Sequence, residues 1–264
     1  MLASYLSVCE EAARTAGALL RDMLGTAGVR QKKNPKDLVT DADIAAQDAI
    51  ESILLGAFPD HRFFGEEGSH LPQRQQGTSE LCWIVDPLDG TTNYVHGMPF
   101  FGPSIALTCG TDVLCGVVYN PMTEEFFSAA QGQGAFLNGK RIYTSTWQTL
   151  GESLVSVSFP SSFSNDSPDM VAFSRAIPHC QSLRRTGSTA LNLAYVAAGR
   201  FDATWAYRCH AWDIAAGVIL VKEAGGVVTQ PDGFATDFCD PSPVLAAANE
   251  AVHRELVQVL NTAP

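Results

Sequence analysis

The chain has 264 residues, 46% hydrophobic and 17% charged, which is enough apolar material for a sizeable core. Its 17 Lys and Arg face 28 Asp and Glu, a net charge of −11, so a nucleic-acid partner held by a broadly basic surface is not expected. No run of roughly 18 apolar residues is present, and the first residues lack the basic start and apolar stretch of a secretion signal. A cytoplasmic protein with no membrane span is the expectation. The seven cysteines are scattered without a Cys-x-x-Cys pair, so reduced thiols are expected.

Residues 2–24 predict a helix, with Leu2, Tyr5, Leu6, Cys9, Ala13, Ala16, Leu20 and Met23 on one face. Residues 25–36 form a polar loop. A second helix is expected from Asp41, capped by Thr40, with Asp43 placed to complete a capping box and Pro59 ending it. From Arg62 the texture becomes short apolar runs separated by turns: 82–85, 104–108, 113–119 and 125–128. The Gly132-Gln133-Gly134 and Asn138-Gly139 turns complete what reads as a largely antiparallel sheet. Met98, Phe100 and Phe101 are expected in the core. The second half alternates strands (153–159, 202–207, 226–229, 243–248) with helices (188–198, 212–223, 251–260), an α/β layer. A weak boundary near 144–151 suggests an α+β subdomain at 1–145 and an α/β subdomain at 146–264, sharing a cleft.

Three acidic stretches carry the chemistry: Gly65-Glu66-Glu67-Gly68, Asp86-Pro87-Leu88-Asp89-Gly90-Thr91-Thr92-Asn93, and Trp212-Asp213-Ile214-Ala215-Ala216-Gly217. A strand ending at Asp86, stiffened by Pro87, brings its carboxylate to the sheet edge. A tight turn then aims Asp89 at the same point, and Gly90 permits close backbone approach to a ligand. Two like charges ~4 Å apart cost about 4 kcal/mol at an effective dielectric of 20, a cost that hard divalent cations reverse. Magnesium prefers such oxygen ligands and shares its shell with phosphate. Each stretch alone is also compatible with a plain role: an Asp turn, a solvated acidic pair, and an acid near a helix N-terminus.

Taken together, the three stretches resemble the inositol monophosphatase family, whose signatures match Trp83 to Tyr94 and Trp212 to Gly217, with Gly65-Glu66-Glu67 and the Asp37-Leu38-Val39-Thr40 element in the same order. The resemblance runs from about residue 5 to residue 260. It implies a layered α-β-α-β-α sandwich of the sugar-phosphatase type. It also implies Mg²⁺, two or three ions: one held by Glu66, Asp86 and the Leu88 carbonyl, another by Asp86, Asp89 and Asp213, and a third weaker one near Glu66. Thr91, paired with Asp43, would activate the attacking water, supported by Glu67. The Gly90 and Thr91 amides would bind phosphate, with Lys33 near the metals and Gly187, Ser188 and Thr189 near the substrate. A homodimer inhibited by lithium is implied.

The implied reaction is hydrolysis of a small phosphomonoester, with inositol 1-phosphate first. Ala206 stands where inositol-specific members usually carry an acid seven positions before the Trp-Asp aspartate. Histidinol phosphate, fructose 1,6-bisphosphate and an adenosine 3′,5′-bisphosphate therefore remain as alternatives. Arg184, Arg185, Arg208 and His210 are read as surface or loop groups. A catalytically silent, partner-binding regulator would be expected to have lost a ligand, yet Glu66, Asp86, Asp89, Thr91 and Asp213 are all present. The alternating acids of a calcium-binding loop are absent.

Overall fold

The structure is a computed structural model and describes residues 1–31, 36–67, 81–238 and 241–262. The chain opens with α1 (Leu2–Met23), a short antiparallel pair β1 (Val29–Gln31) and β2 (Leu38–Thr40), and α2 (Asp41–Ala57). The predicted 25–36 loop thus contains a three-residue strand, too short to leave a periodic signal. The capping box of α2 forms as expected: Thr40 Oγ1 accepts from the Ala42 and Asp43 amides, while the Asp43 carboxylate accepts from the Thr40 amide.

β3 (Arg62–Gly65) and β4 (Leu81–Asp89) follow, then α3 (Thr91–Val95), β5 (Gly102–Cys109), β6 (Asp112–Asn120), β7 (Glu125–Ala130), β8 (Gly134–Leu137) and β9 (Lys140–Ile142). These seven strands form one sheet in sequential order, antiparallel except where β3 runs parallel to β4. The remaining elements are β10 (Leu154–Val157), α4 (Pro168–Ala176), β11 (Ser182–Arg185), α5 (Thr189–Ala197), β12 (Ala203–Ala206), α6 (Ala211–Glu223), β13 (Val227–Thr229), β14 (Val244–Ala247) and α7 (Glu250–Asn261). The second sheet has the order β11-β10-β12-β14-β13. Its first three strands are parallel, and β14 is antiparallel to its neighbours.

Strand periodicity dictates the layering, because alternate residues face opposite sides. On β4, Trp83 and Val85 join the core beneath α1 and α2, built from Cys9, Ala12, Ala16, Leu20, Ala46 and Ile50. Ile84, between them, faces the other way, with Phe64, Ala106, Val118 and Phe127, onto α5 and α6. On β12 and β14, Ala206 and Ala246 meet those same two helices from the opposite side. Trp205, Leu245 and Ala247 turn outward onto α4 and α7. The result is the α-β-α-β-α sandwich that the resemblance implied. Helices α5 and α6 lie between the sheets and are nearly all-round apolar, as buried helices are. Packing is close at Gly116 of β6, where an added Cβ would lie 2.9 Å from the Ala216 Cα of α6. Burying each large side chain there contributes roughly 1.5–3 kcal/mol.

Three expectations change. Met98 is exposed, at 47% of its maximal surface, whereas Phe101 is fully buried. α4 and β11 lie in a stretch for which no element was predicted. Their signals were local and faint: Ser167 followed by Pro168 at a helix start, and a polar Ser-Leu-Arg-Arg edge strand. β4 does not stop at Asp86 but continues to Asp89, with an irregularity in its pairing to β5 between those two residues.

Candidate active site

Local structure brings the acids together. Parallel pairing sets Gly65 beside Val85, so Glu66, whose amide donates to the Val85 carbonyl at 3.0 Å, lies next to Asp86. The irregularity after Asp86 lets Asp86 and Asp89 converge although three residues separate them. The Leu88 amide donates to Asp86 Oδ1 at 2.9 Å, holding the turn. Gly90 then takes φ +95°, and a Cβ there would lie 3.0 Å from the Phe100 carbonyl oxygen, so only glycine fits without strain. Asp213 stands in the first turn of α6, where it accepts from the His210 amide at 2.7 Å. Ser104 of β5 ties that helix start to the large sheet by donating to the Trp212 carbonyl at 3.1 Å.

Carboxylate oxygens of Asp86, Asp89 and Asp213 all lie within 4.8 Å of one another. Asp86 and Asp89 are 2% and 8% exposed. Burial, with Glu66, Asp89 and Asp213 nearby, drives the Asp86 carboxyl far above its ordinary range. Burial and the Asp213 charge push Asp89 up to about 7, against the pull of donors from Ser188 and the backbone. A buried set of carboxylates is unfavourable without a cation, and among the described residues the donors of this cluster are all oxygen, without thiol or imidazole. The residues present therefore fit a hard divalent cation.

Around the cluster, Asp43 is 1% exposed; burial raises its carboxyl to about 6, against hydrogen bonds from Thr40. Its Oδ2 accepts from the Thr40 amide at 2.8 Å and the Thr40 hydroxyl at 2.6 Å. Its Oδ1 faces the Thr91 hydroxyl at 3.3 Å, which also lies 3.2 Å from the Leu88 carbonyl. Thus Asp43 and Thr91 meet although 48 positions apart. Glu67 is held through its backbone by Gln47 of α2, which accepts from the Glu67 amide at 2.8 Å and donates to its carbonyl.

The stretch 187–189 was expected near the substrate. The Ser188 side chain is buried against Asp89: its hydroxyl donates to Asp89 Oδ2, and the Ala190 amide donates to the same oxygen at 2.7 Å. Asp89 therefore occupies the N-terminus of α5, a favourable place for a negative charge. Lys33 lies outside the described residues.

Sequence reasoning missed Gln47 and the bridging role of Asn93. The Asn93 amide donates to the Phe100 carbonyl at 2.7 Å and the Thr186 carbonyl at 2.9 Å, joining the large-sheet turn to the loop before α5. Gly187 (φ +92°) packs directly on it, since a Cβ would lie 2.9 Å from the Asn93 amide. Asn93 stood inside the recognised motif, whereas nothing in the local pattern marks Gln47.

A layered α/β fold with a buried carboxylate cluster at a strand-end turn has the features of a metal-dependent hydrolase of phosphate esters. The chain belongs to the inositol monophosphatase family, whose sequence pattern matches residues 1–263. It is 40% identical over 261 residues to inositol monophosphatase 2 of Solanum lycopersicum, covering 97% of this chain and 98% of that one. It is 38% identical over 247 residues to the Nus factor SuhB of Pseudomonas aeruginosa, covering 91% and 90%. The solved structure of the extragenic suppressor protein suhB from Bartonella henselae superposes with a TM-score of 0.89 at 35% identity, covering 99% of this chain and 100% of that one. The protein is accordingly a phosphatase acting on phosphomonoesters. Among the described residues no helix is long and apolar enough to cross a membrane.

Proposed function

We propose that the chain is a magnesium-dependent hydrolase of a small phosphomonoester, with inositol 1-phosphate the first substrate to test. The observation that carries this reading is the convergence of Asp86, Asp89 and Asp213 on one point. Glu66, Asp86 and the Leu88 carbonyl would hold one ion and Asp86, Asp89 and Asp213 a second, and a third, weaker ion would sit near Glu66. Such ions supply Lewis acidity toward the phosphoryl oxygens and lower the pKa of water.

The chain's own groups then do the following. Thr91 donates its hydroxyl proton to Asp43, leaving oxygen lone pairs to accept from the attacking water and orient it in line with the ester bond. At pH 7 the Asp43 carboxyl, with a pKa of about 6, is mostly ionised and able to receive that hydrogen bond. Glu67, fixed by Gln47, supports this network. The Gly90 and Thr91 amides face the phosphate at the start of α3, with Lys33 as a further cationic contact. Gly187, Ser188 and Thr189 contact the substrate, and the Ser188 hydroxyl also fixes the Asp89 carboxylate. The working unit is a homodimer.

The name of the Pseudomonas relative raises a regulatory reading, in which the fold serves a partner and chemistry is silent. The complete ligand set favours turnover. The test is phosphate release from inositol 1-phosphate, glycerol 2-phosphate, histidinol phosphate and fructose 1,6-bisphosphate, with magnesium or with chelator. Turnover that requires magnesium for at least one ester supports the reading. Equal background rates in both conditions would end it.

A further inference from the structure

Asp213 reaches the carboxylate cluster on a helix, so its place depends on where that helix sits. Its carboxylate is locked to α6 by local bonds: Oδ2 accepts from the His210 amide at 2.7 Å, and the Asp213 amide donates to the His210 carbonyl at 3.2 Å. The side chain therefore moves with the helix as one piece. Asp86 belongs to β4 of the large sheet, and carboxylate oxygens of the two residues lie within 4.8 Å of each other. Magnesium demands near-ideal octahedral geometry, so a shift of α6 by about half an ångström would spoil a shared site.

Apolar burial alone does not set that position, because hydrophobic contact is non-directional. α6 is buried on nearly every side, with small residues at its closest contacts: Gly116 of β6 meets Ala216, and Gly217 packs on Leu193 of α5. Directional bonds to the large sheet are made at both ends of the helix. At the start, the Ser104 hydroxyl donates to the Trp212 carbonyl at 3.1 Å. Ser104 is buried and stands directly opposite Asp86 in the register of β4 with β5. The Trp212 ring rests against Phe64, with 5.1 Å between centroids, on the strand that leads into Glu66. At the far end, the Glu223 carboxylate accepts from the Gly132 and Gly134 amides, each at 2.7 Å, at the turn between β7 and β8. Glu223 lies ten residues beyond Asp213 on the same helix, about 15 Å along its axis.

We propose that Ser104 and Glu223 are positioning residues: they set the register of α6 against the large sheet, and thereby the affinity of the Asp86–Asp213 pair for a divalent cation. The inference rests on the metal set of the proposed function and adds to it a determinant far from the cluster. Ser104 acts through the Trp212 backbone, and Glu223 acts from the opposite end of the helix.

The test reads the magnesium dissociation constant from thermal scans of the chelator-stripped protein across a magnesium series. Ser104→Ala should weaken magnesium binding about tenfold, the order by which losing a bond that orients a ligand lowers metal affinity. Glu223→Gln keeps one acceptor oxygen of two and should weaken it about threefold. In saturating magnesium both variants should recover most of kcat, with KM for the ester unchanged. Thr108→Val is the control: it removes a buried hydroxyl bond of the same strand, to the Cys82 carbonyl at 3.1 Å within the large sheet. It should lower Tm and leave the magnesium constant where it was. Glu223, at the half-buried end of α6, keeps the test open should Ser104→Ala fail to fold. If either variant binds magnesium no more weakly than Thr108→Val does, the positioning role fails and the phosphatase reading stands. A wild-type protein whose Tm ignores magnesium would overturn both.

Discussion

The two sheets that flank the carboxylate cluster are built on opposite plans. The large-sheet wall, from β4 into α3, buries its charges: Asp43, Asp86 and Asp89 are each under one-tenth exposed, and their carboxyls are pushed upward. The small-sheet wall, from β11 to β12, exposes its charges, and those on Arg184 and Arg185 rest on aromatic rings and short polar contacts. A buried cluster of like charges has few alternatives to a cation and a bound phosphoryl group. An exposed cationic edge tolerates many substrates. On the proposed function the chemistry belongs to the buried side and the choice of ester to the exposed one.

The largest test of this division is Asp89→Asn. It should reduce kcat on the order of a thousandfold in saturating magnesium, with far-ultraviolet circular dichroism unchanged, because transition-state charge stabilisation is lost. A variant within tenfold of wild type would remove Asp89 from the buried wall's function. Next comes Thr91→Ala, expected to lower kcat about 100-fold while KM moves less than about threefold, as befits a group acting on the nucleophile. If KM rises and kcat holds, Thr91 binds substrate instead.

Asn93→Ala probes the joint between the walls. Losing a largely buried amide that serves two carbonyls should destabilise the fold by about 1–3 kcal/mol. It should also raise the magnesium concentration needed for half-maximal activity several-fold, because Asp89 depends on the loop that Asn93 clamps. Titration of activity against magnesium checks this; an unchanged midpoint would make the clamp purely structural.

The smallest effect is on the stability of the chelated protein. Burial pushes Asp43 up to about 6 and Asp89 up to about 7, above the ordinary carboxylate range, so the native state binds protons that the unfolded chain has released between about pH 4 and 7. Stability in chelator should fall as pH rises through that window and be recovered by magnesium. For the same reason Asp86→Asn should raise the chelated protein's Tm by a few degrees, since the neutral amide keeps an oxygen for the Leu88 donor. Thermal scans from pH 5 to 8 decide both; a flat profile would show that the acids are not strained without metal.

The same contrast explains what the sequence disclosed. The helix cap at Thr40 and Asp43, the apolar run into Asp86 and the buried α6 all follow from contacts within a few residues. Those patterns survive in a linear reading. One family signature, Trp83 to Tyr94, also lies on the buried wall, while the other, Trp212 to Gly217, opens α6. The Gln47–Glu67 pair, the Asn93 bridge and the Ser188–Asp89 bond join positions 20, 93 and 99 residues apart. No local period marks them. α4 and β11 escaped because neither has a strong apolar repeat: much of their order comes from packing against α7 and β10.

Asp89 leaves the first sheet only to be gripped by α5, and Asp213 arrives on α6, more than 120 positions downstream. During synthesis, therefore, a nascent chain emerging from the ribosome displays Asp86 and Asp89 long before their partner exists. On the proposed ligand set, a protein truncated ahead of α6 lacks Asp213 and is expected to be inert toward phosphate esters, so that catalysis itself reports a completed fold.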